Sequence, residues 1–182
     1  MEKIWLRNYP AGIPHEVDIN EFASLKDVLQ RSCQRFAGLP AYANMGASMS
    51  YAELDRNSRD FAAYLQNTLA LRKGERVAIM MPNLLQYPVA LFGVLRAGLV
   101  VVNVNPQYTV PELEHQLKDS GAAAIVVLEN FAHTLQAVLE KNPTLKLHVI
   151  TTEVGDMFSL LKEVLTNVVV KYVKKMVPQW QI

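Results

Sequence analysis

Arg76-Val77-Ala78-Ile79-Met80-Met81-Pro82-Asn83 opens the part of the chain that decides the fold. Val77 to Met80 is apolar throughout, and three more short, mostly apolar runs follow it: Leu99 to Val104, Ala123 to Leu128 and Leu147 to Ile150. Strands that do not alternate polar and apolar residues lie inside a parallel sheet with helices on both sides. The connectors between the runs have helical periodicity. The first carries Val89, Leu91, Phe92, Val94 and Leu95 and stops at Gly98, which suits a left-handed cap. Pro88 fits such a helix only near its start. The second pairs Thr109 with Glu112 as a capping box and sets Leu113 one turn from Leu117. The third runs from about Phe131 through Leu135, Val138 and Leu139 and ends before Pro143. Four strands joined by three helices predict a doubly wound sheet with right-handed crossovers, its strand order unread.

Upstream, Ser24 and Asp27 mark a helix start, with Leu25, Val28, Leu29, Cys33 and Phe36 on one face. Ala41 to Met45, a Gly46-Ala47 turn and Ser48-Met49 read as a hairpin, closed by a capping box at Ser50 and Glu53. The helix that follows has an apolar stripe of Leu54, Phe61, Leu65 and Leu69 around small Ser58, with Asp55, Arg56, Arg59 and Asp60 on its solvated side. Downstream, Met157 to Val177 is amphipathic: Leu161, Val164, Leu165, Val168, Val169, Tyr172, Val173 and Met176 share one side, and Lys162, Glu163, Thr166, Asn167, Lys171, Lys174 and Lys175 mostly share the other. The fold class is therefore α/β, a doubly wound, mostly parallel sheet with helices on both faces, a small N-terminal hairpin and an amphipathic C-terminal helix. Residues 1–155 form the α/β unit and 156–182 the tail.

Totals limit the function. Eighteen Lys and Arg against seventeen Asp and Glu leave a net charge of +1, so no overall field draws the chain to nucleic acid. The single cysteine, Cys33, cannot form an internal disulfide, and the first residues carry no secretory pattern, which together predict a cytoplasmic setting. Ligands of doubly wound sheets bind at the carboxyl ends of the strands, here Met81-Pro82-Asn83, Asn105-Pro106-Gln107 and Glu129-Asn130. None has the glycines of a dinucleotide or phosphate loop. His15, His115, His133 and His148 lack metal-ligand spacing. Glu112 has a capping role, and Cys33 lies on an apolar stripe as a core residue.

Three blocks resemble the adenylate-forming superfamily: Arg76 to Asn83, Tyr87 to Gly98, and Val102-Asn103-Val104-Asn105-Pro106, continued by Thr109 to Leu117 and Asp119-Ser120-Gly121. Each coincides with an element already read from periodicity. Within that superfamily the chain is most similar to bacterial long-chain fatty acid:CoA ligases, through Trp5-Leu6 with Tyr9-Pro10, Tyr42-Ala43-Asn44-Met45-Gly46 and Asn83-Leu84-Leu85-Gln86-Tyr87-Pro88. The likeness covers essentially the whole chain and implies roughly the first third of such an enzyme.

The resemblance implies a parent enzyme that uses ATP, Mg²⁺ and CoA to convert a fatty acid to acyl-CoA through an acyl adenylate. It assigns the chemistry to a Ser/Thr/Gly-rich phosphate loop, a Tyr-Gly-x-Thr-Glu segment and a lysine on a mobile C-terminal domain. None of these occurs in the 182 residues. No catalytic or metal-binding residue is therefore assigned, no cofactor is expected on the segment, and it is expected to be inert alone. Asn105 and Gln107 are the cofactor-binding candidates. In some relatives the residue after this Asn-Pro is basic and faces the CoA nucleotide; Gln107 is neutral. For the tail, burial against an apolar surface elsewhere in a ligase is the preferred reading, and docking on the inner membrane surface is the alternative. For the whole chain the competing reading is a non-enzymatic module that binds a partner or a second copy as a homodimer. An independent nucleotide binder ranks third, opposed by the missing glycine loop.

Overall fold

The structure, a computed structural model, describes residues 2–181; Met1 and Ile182, the last residue of the expected tail, lie outside them. Helix α1 (Leu25–Arg35) starts where the Ser24 hydroxyl accepts the Asp27 N–H at 3.2 Å, and it buries Leu29 and Cys33. Leu25 departs from the expected stripe and is 65% exposed. A helical side chain covers the turn before its own position, and residues 21–24 there are themselves exposed.

Strands β1 (Pro40–Asn44) and β2 (Ala47–Ser50) form the antiparallel hairpin. Its turn is Met45-Gly46, one residue earlier than the spacing suggested. Both turn residues have positive φ, 49° and 70°, as a mirror-type two-residue turn requires, and Ala47 already pairs with Asn44. Helix α2 (Tyr51–Ala63) begins with the expected box: Ser50 Oγ accepts the Glu53 N–H, and Glu53 Oε2 accepts the Ser50 N–H. Leu54, Ser58 and Ala62 are buried, and the stripe continues through Leu65 in a π-helical turn, Tyr64–Thr68. Asp55 is not simply solvated. It pairs with Arg59 on its own helix and with Arg96 on α3 (Gln86–Arg96), because α2 lies along α3 and the neighbour of Leu54 falls at the rim of that interface.

The main sheet holds β3 (Arg76–Met80), β4 (Val100–Asn103), β5 (Ala124–Leu128) and β6 (His148–Thr152) in the order β4-β3-β5-β6, all parallel. Strand pleating divides the core in two. Val77, Ile79 and Met81 with Ala124, Val126 and Leu128 pack beside Val94 of α3 and Ala62 of α2. Ala78, Met80, Ile125 and Val127 pack beside Leu113 and Leu117 of α4 (Val110–Ser120) and Leu135 and Val138 of α5 (Ala132–Lys141). The chain leaves β3 toward β4 through α3 on one face, then crosses back to β5 through α4 on the other. Reversing direction and face together keeps the crossovers of one hand.

The caps follow the chemistry read from sequence. Pro88 sits in the first turn of α3, where its missing N–H costs no helical hydrogen bond. Gly98 takes φ +76° after that helix. Thr109 and Glu112 form the second capping box.

Candidate functional site

Winding reverses between β3 and β5, so the crevice for a ligand lies at the carboxyl ends of those two strands. Glu129 follows β5 directly and is 2% exposed. A bare carboxylate there would be costly, since burial removes its water. Lys171 supplies the counter-charge. It stands in a π-helical turn, Val169–Val173, that continues α6 (Leu160–Val168), and its Nζ lies 3.1 Å from Glu129 Oε2 and 3.7 Å from Glu153 Oε1. Glu153 follows β6, and its carbonyl oxygen accepts a hydrogen bond from buried Gln86 Nε2 at 2.6 Å. Asn130 Nδ2 donates to the Met176 carbonyl at 2.9 Å, while its buried Oδ1 meets no partner among the described residues.

Charge within the cluster is uneven. Burial and the neighbouring Glu129 charge push the Glu153 carboxyl up, against the pull of Lys171. The hydrogen bond to Glu129 and the two carboxylate charges hold the Lys171 ammonium up, against a smaller opposing effect of burial. A lysine already shared between two carboxylates is poorly placed to receive an anionic ligand or to act as a base. The arrangement is a clasp that fastens the tail over the carboxyl end of β5.

The tail lies the other way round from a helix with solvated lysines. Asn167 Oδ1 accepts the Gly155 N–H at 2.7 Å, Lys162 donates to the Met45 carbonyl oxygen and covers the Phe158 ring, and Lys171 enters the clasp. Lys162, Asn167 and Lys171 thus meet the body, while Lys174 and Lys175 are exposed. Leu160 and Leu161 are 81% and 89% exposed, and Val164, Leu165, Val168 and Tyr172 are exposed with them. A helical wheel separates the two faces but does not say which one the rest of the chain will bind.

Asn105 and Gln107 lie past β4, the edge strand, with β3 between them and the clasp. Asn105 Oδ1 accepts the Gln107 N–H at 3.0 Å, an Asx turn that shapes the loop, and both residues are exposed. The fold therefore brings Glu129 and Glu153 together and leaves Asn105 and Gln107 apart. Cys33 is 5% exposed in the cluster with Leu29 and Leu54, and burial raises its thiol, as a core residue requires.

The model of the AMP-binding enzyme family matches residues 29–179, most of the chain. The chain belongs to the AMP-binding enzyme family. Over all 182 residues it is 56% identical to the long-chain-fatty-acid–CoA ligase of Escherichia coli O157:H7, and it spans 32% of that protein's length, within its N-terminal portion. Two solved structures support the fold of this AMP-binding family member. A benzoate CoA ligase from Burkholderia xenovorans LB400 is 29% identical with a TM-score of 0.65, over 70% of this chain and 25% of that one. A Mycobacterium tuberculosis fatty acyl CoA synthetase is 25% identical with a TM-score of 0.65, over 70% of this chain and 26% of that one. The chain thus spans about a third of the length of the curated relatives it matches.

Sequence reasoning missed the clasp. Glu129 carried a signal: an acid immediately after five apolar strand residues sits where a sheet ends in a crevice. Lys171, 42 positions away, carried none beyond its place on the polar side of the tail.

Proposed function

We propose that the chain is the N-terminal sheet-bearing segment of a long-chain fatty acid:CoA ligase, in which ATP activates a fatty acid to an acyl adenylate and CoA then takes the acyl group. Identity of 56% across the full chain to the E. coli O157:H7 ligase carries this reading. The segment's role is scaffold. Its two-sided core holds four strand ends in register, and those ends carry none of the glycines of a phosphate loop.

The residues present do not fit Mg²⁺. At the sheet end Lys171 already occupies the space between Glu129 and Glu153, and Asp156 Oδ2 is taken up by the Glu153 N–H and the Thr152 hydroxyl; among the described residues no three ligating side chains gather. No Mg²⁺-dependent step is therefore routed through these residues. Asn105 and Gln107 remain the candidates for facing the CoA nucleotide, on a loop at a strand end where ligand contacts are common.

Two measurements test the reading. Purified alone, the chain is expected to form no AMP from ATP and oleate above background, and clear AMP formation overturns the scaffold role. Replacing the corresponding third of the E. coli O157:H7 ligase with this chain is expected to retain oleoyl-CoA synthesis. A soluble, folded chimera without activity counts against the family function.

A further inference from the structure

Strand β4 runs along the edge of the sheet and has β3 as its one neighbour. The Val104 N–H still donates to the Ile79 carbonyl oxygen at 3.0 Å, and the Asn105-Pro106-Gln107 loop begins where this pairing stops. The last strand residue, Asn103, is clamped from both faces of the sheet. Val101 and Asn103 share the face that packs on α3, and there the Tyr87 hydroxyl donates to Asn103 Oδ1 at 2.9 Å. From α4 on the other face, Gln116 Nε2 donates to the Asn103 carbonyl oxygen at 2.9 Å. The helices before and after β4 thus each send one side chain to the same residue.

Stability alone would select neither contact. Asparagine is a poor strand former, and it follows three valines that suit the strand well. Gln116 Oε1 is buried and meets no partner among the described residues, and a buried acceptor left unpaired is costly. A leucine at that position would carry no such cost. Local rules broken at two neighbouring residues mark a place kept for something other than the fold.

We propose that Tyr87, Asn103 and Gln116 are positioning residues that aim the Asn105-Pro106-Gln107 loop at the CoA nucleotide. This rests on the reading of that loop as the one that faces CoA. Asn103 stands two residues before Asn105, whose Oδ1 accepts the Gln107 N–H and fixes the turn. Held by its amide from one face and by its carbonyl from the other, the strand end has little freedom to twist, and the turn inherits its direction. Direction matters, because a misplacement of about 1 Å can remove most of the effect of an oriented contact. The three residues act on the ligand through the loop.

The chimera with the E. coli O157:H7 ligase tests the inference. Tyr87→Phe keeps the ring and removes the hydroxyl. It is expected to raise KM for CoA by about threefold to tenfold, the worth of one hydrogen bond, with KM for ATP and for oleate unchanged and kcat held within about twofold. Gln116→Leu should raise KM for CoA in the same way and leave the thermal midpoint unchanged or higher, because the orphaned oxygen goes with the amide and water reaches the exposed Asn103. A residue that only held the fold would lower the midpoint and spread its effect over all three substrates. Tyr87→Phe combined with Asn103→Ala should be no worse than Asn103→Ala alone, since both remove one contact. An active chimera whose KM for CoA is unmoved by Tyr87→Phe or by Gln116→Leu overturns the inference and leaves the ligase reading standing. A rise shared equally by ATP, oleate and CoA, or a lowered midpoint for Gln116→Leu, overturns it as well. A folded chimera that is inactive before any substitution removes the ligase reading and this inference with it.

Discussion

Lys171 Nζ lies 3.1 Å from Glu129 Oε2, joining the last helical turns of the chain to the carboxyl end of a central strand. Glu129 is nearly inaccessible there, so the pair neutralises a buried carboxylate and fastens the tail at once. Replacing Lys171 with Met leaves that charge without its main partner. Removing one member of a buried pair costs several kcal/mol, but Lys171 is itself about a third exposed and water reaches its end. A loss of about 2 kcal/mol in urea denaturation is expected for K171M. The double variant K171M/E129Q should lose less than the sum of the two single changes, because the uncompensated charge is gone.

Glu153 should respond in the opposite direction. Its carboxyl is raised, so its contribution to stability is fully present below the unfolded value near 4.5 and is lost as pH rises through the higher folded value. At neutral pH the charged form is therefore a net burden. Glu153→Gln should raise the thermal midpoint at pH 7, and the gain should vanish below pH 4.5. A midpoint lowered at pH 7 would mean that the charge of Glu153 on Lys171 outweighs its burial and its repulsion from Glu129.

The capping box at the start of α2 titrates with the reverse sign. Hydrogen bonds from Ser50 hold the Glu53 carboxyl below its usual 4.5, so this stabilisation is present above that value and lost as pH falls through the depressed one. Ser50→Ala should cost about 1 kcal/mol at pH 7. Its difference from the parent chain should shrink as pH falls below 4.5, read as denaturation midpoints drawing together.

Close approach of α2 and α3 depends on Gly93. A Cβ there would lie 2.6 Å from Phe61 Cδ1 and 3.2 Å from the Ser58 carbonyl oxygen, so the helices would have to part. Overpacking of this kind costs about 1–3 kcal/mol, partly offset by the better helix propensity of alanine. Gly93→Ala is expected to destabilise the chain in urea, and Phe61→Leu on that background should recover part of the loss. An unchanged midpoint would mean that the interface relaxes freely.

These relationships divide by their distance along the chain. Ser50 with Glu53, and Thr109 with Glu112, are pairs three residues apart whose geometry follows from a single helical turn, so both boxes were legible as sequence. The central strands β3 and β5 were legible because a parallel strand buried on both faces admits little else. The strand order, the Asp55–Arg96 pair and the Lys171–Glu129 pair were not. Each depends on where the helices land on the sheet, and residues about forty positions apart leave no local pattern. The tail shows the limit most sharply: spacing set Lys162, Lys171, Lys174 and Lys175 mostly together, yet Lys174 and Lys175 are exposed beside Tyr172 while Lys162 and Lys171 lie on the inward side. Burying Glu129 demanded a cation from that side.

Gln107 provides the test of the remaining site reading, because it is a neutral residue directly after the Asn105-Pro106 pair at a strand end. Asn105 spends its Oδ1 on the Gln107 N–H, so it shapes the loop and leaves the position-107 side chain exposed at the sheet edge. If that loop faces the CoA nucleotide, a cation at position 107 meets phosphate where the neutral amide makes only an uncharged contact, and charge-assisted bonds are roughly twice as strong. In the chimera with the E. coli O157:H7 ligase, Gln107→Lys is therefore expected to lower KM for CoA by about threefold or more, with KM for oleate and for ATP unchanged. Asn105→Ala should raise KM for CoA through loss of the turn. Equal KM values for CoA across all three proteins would place both residues in a loop that ends the strand and does nothing else.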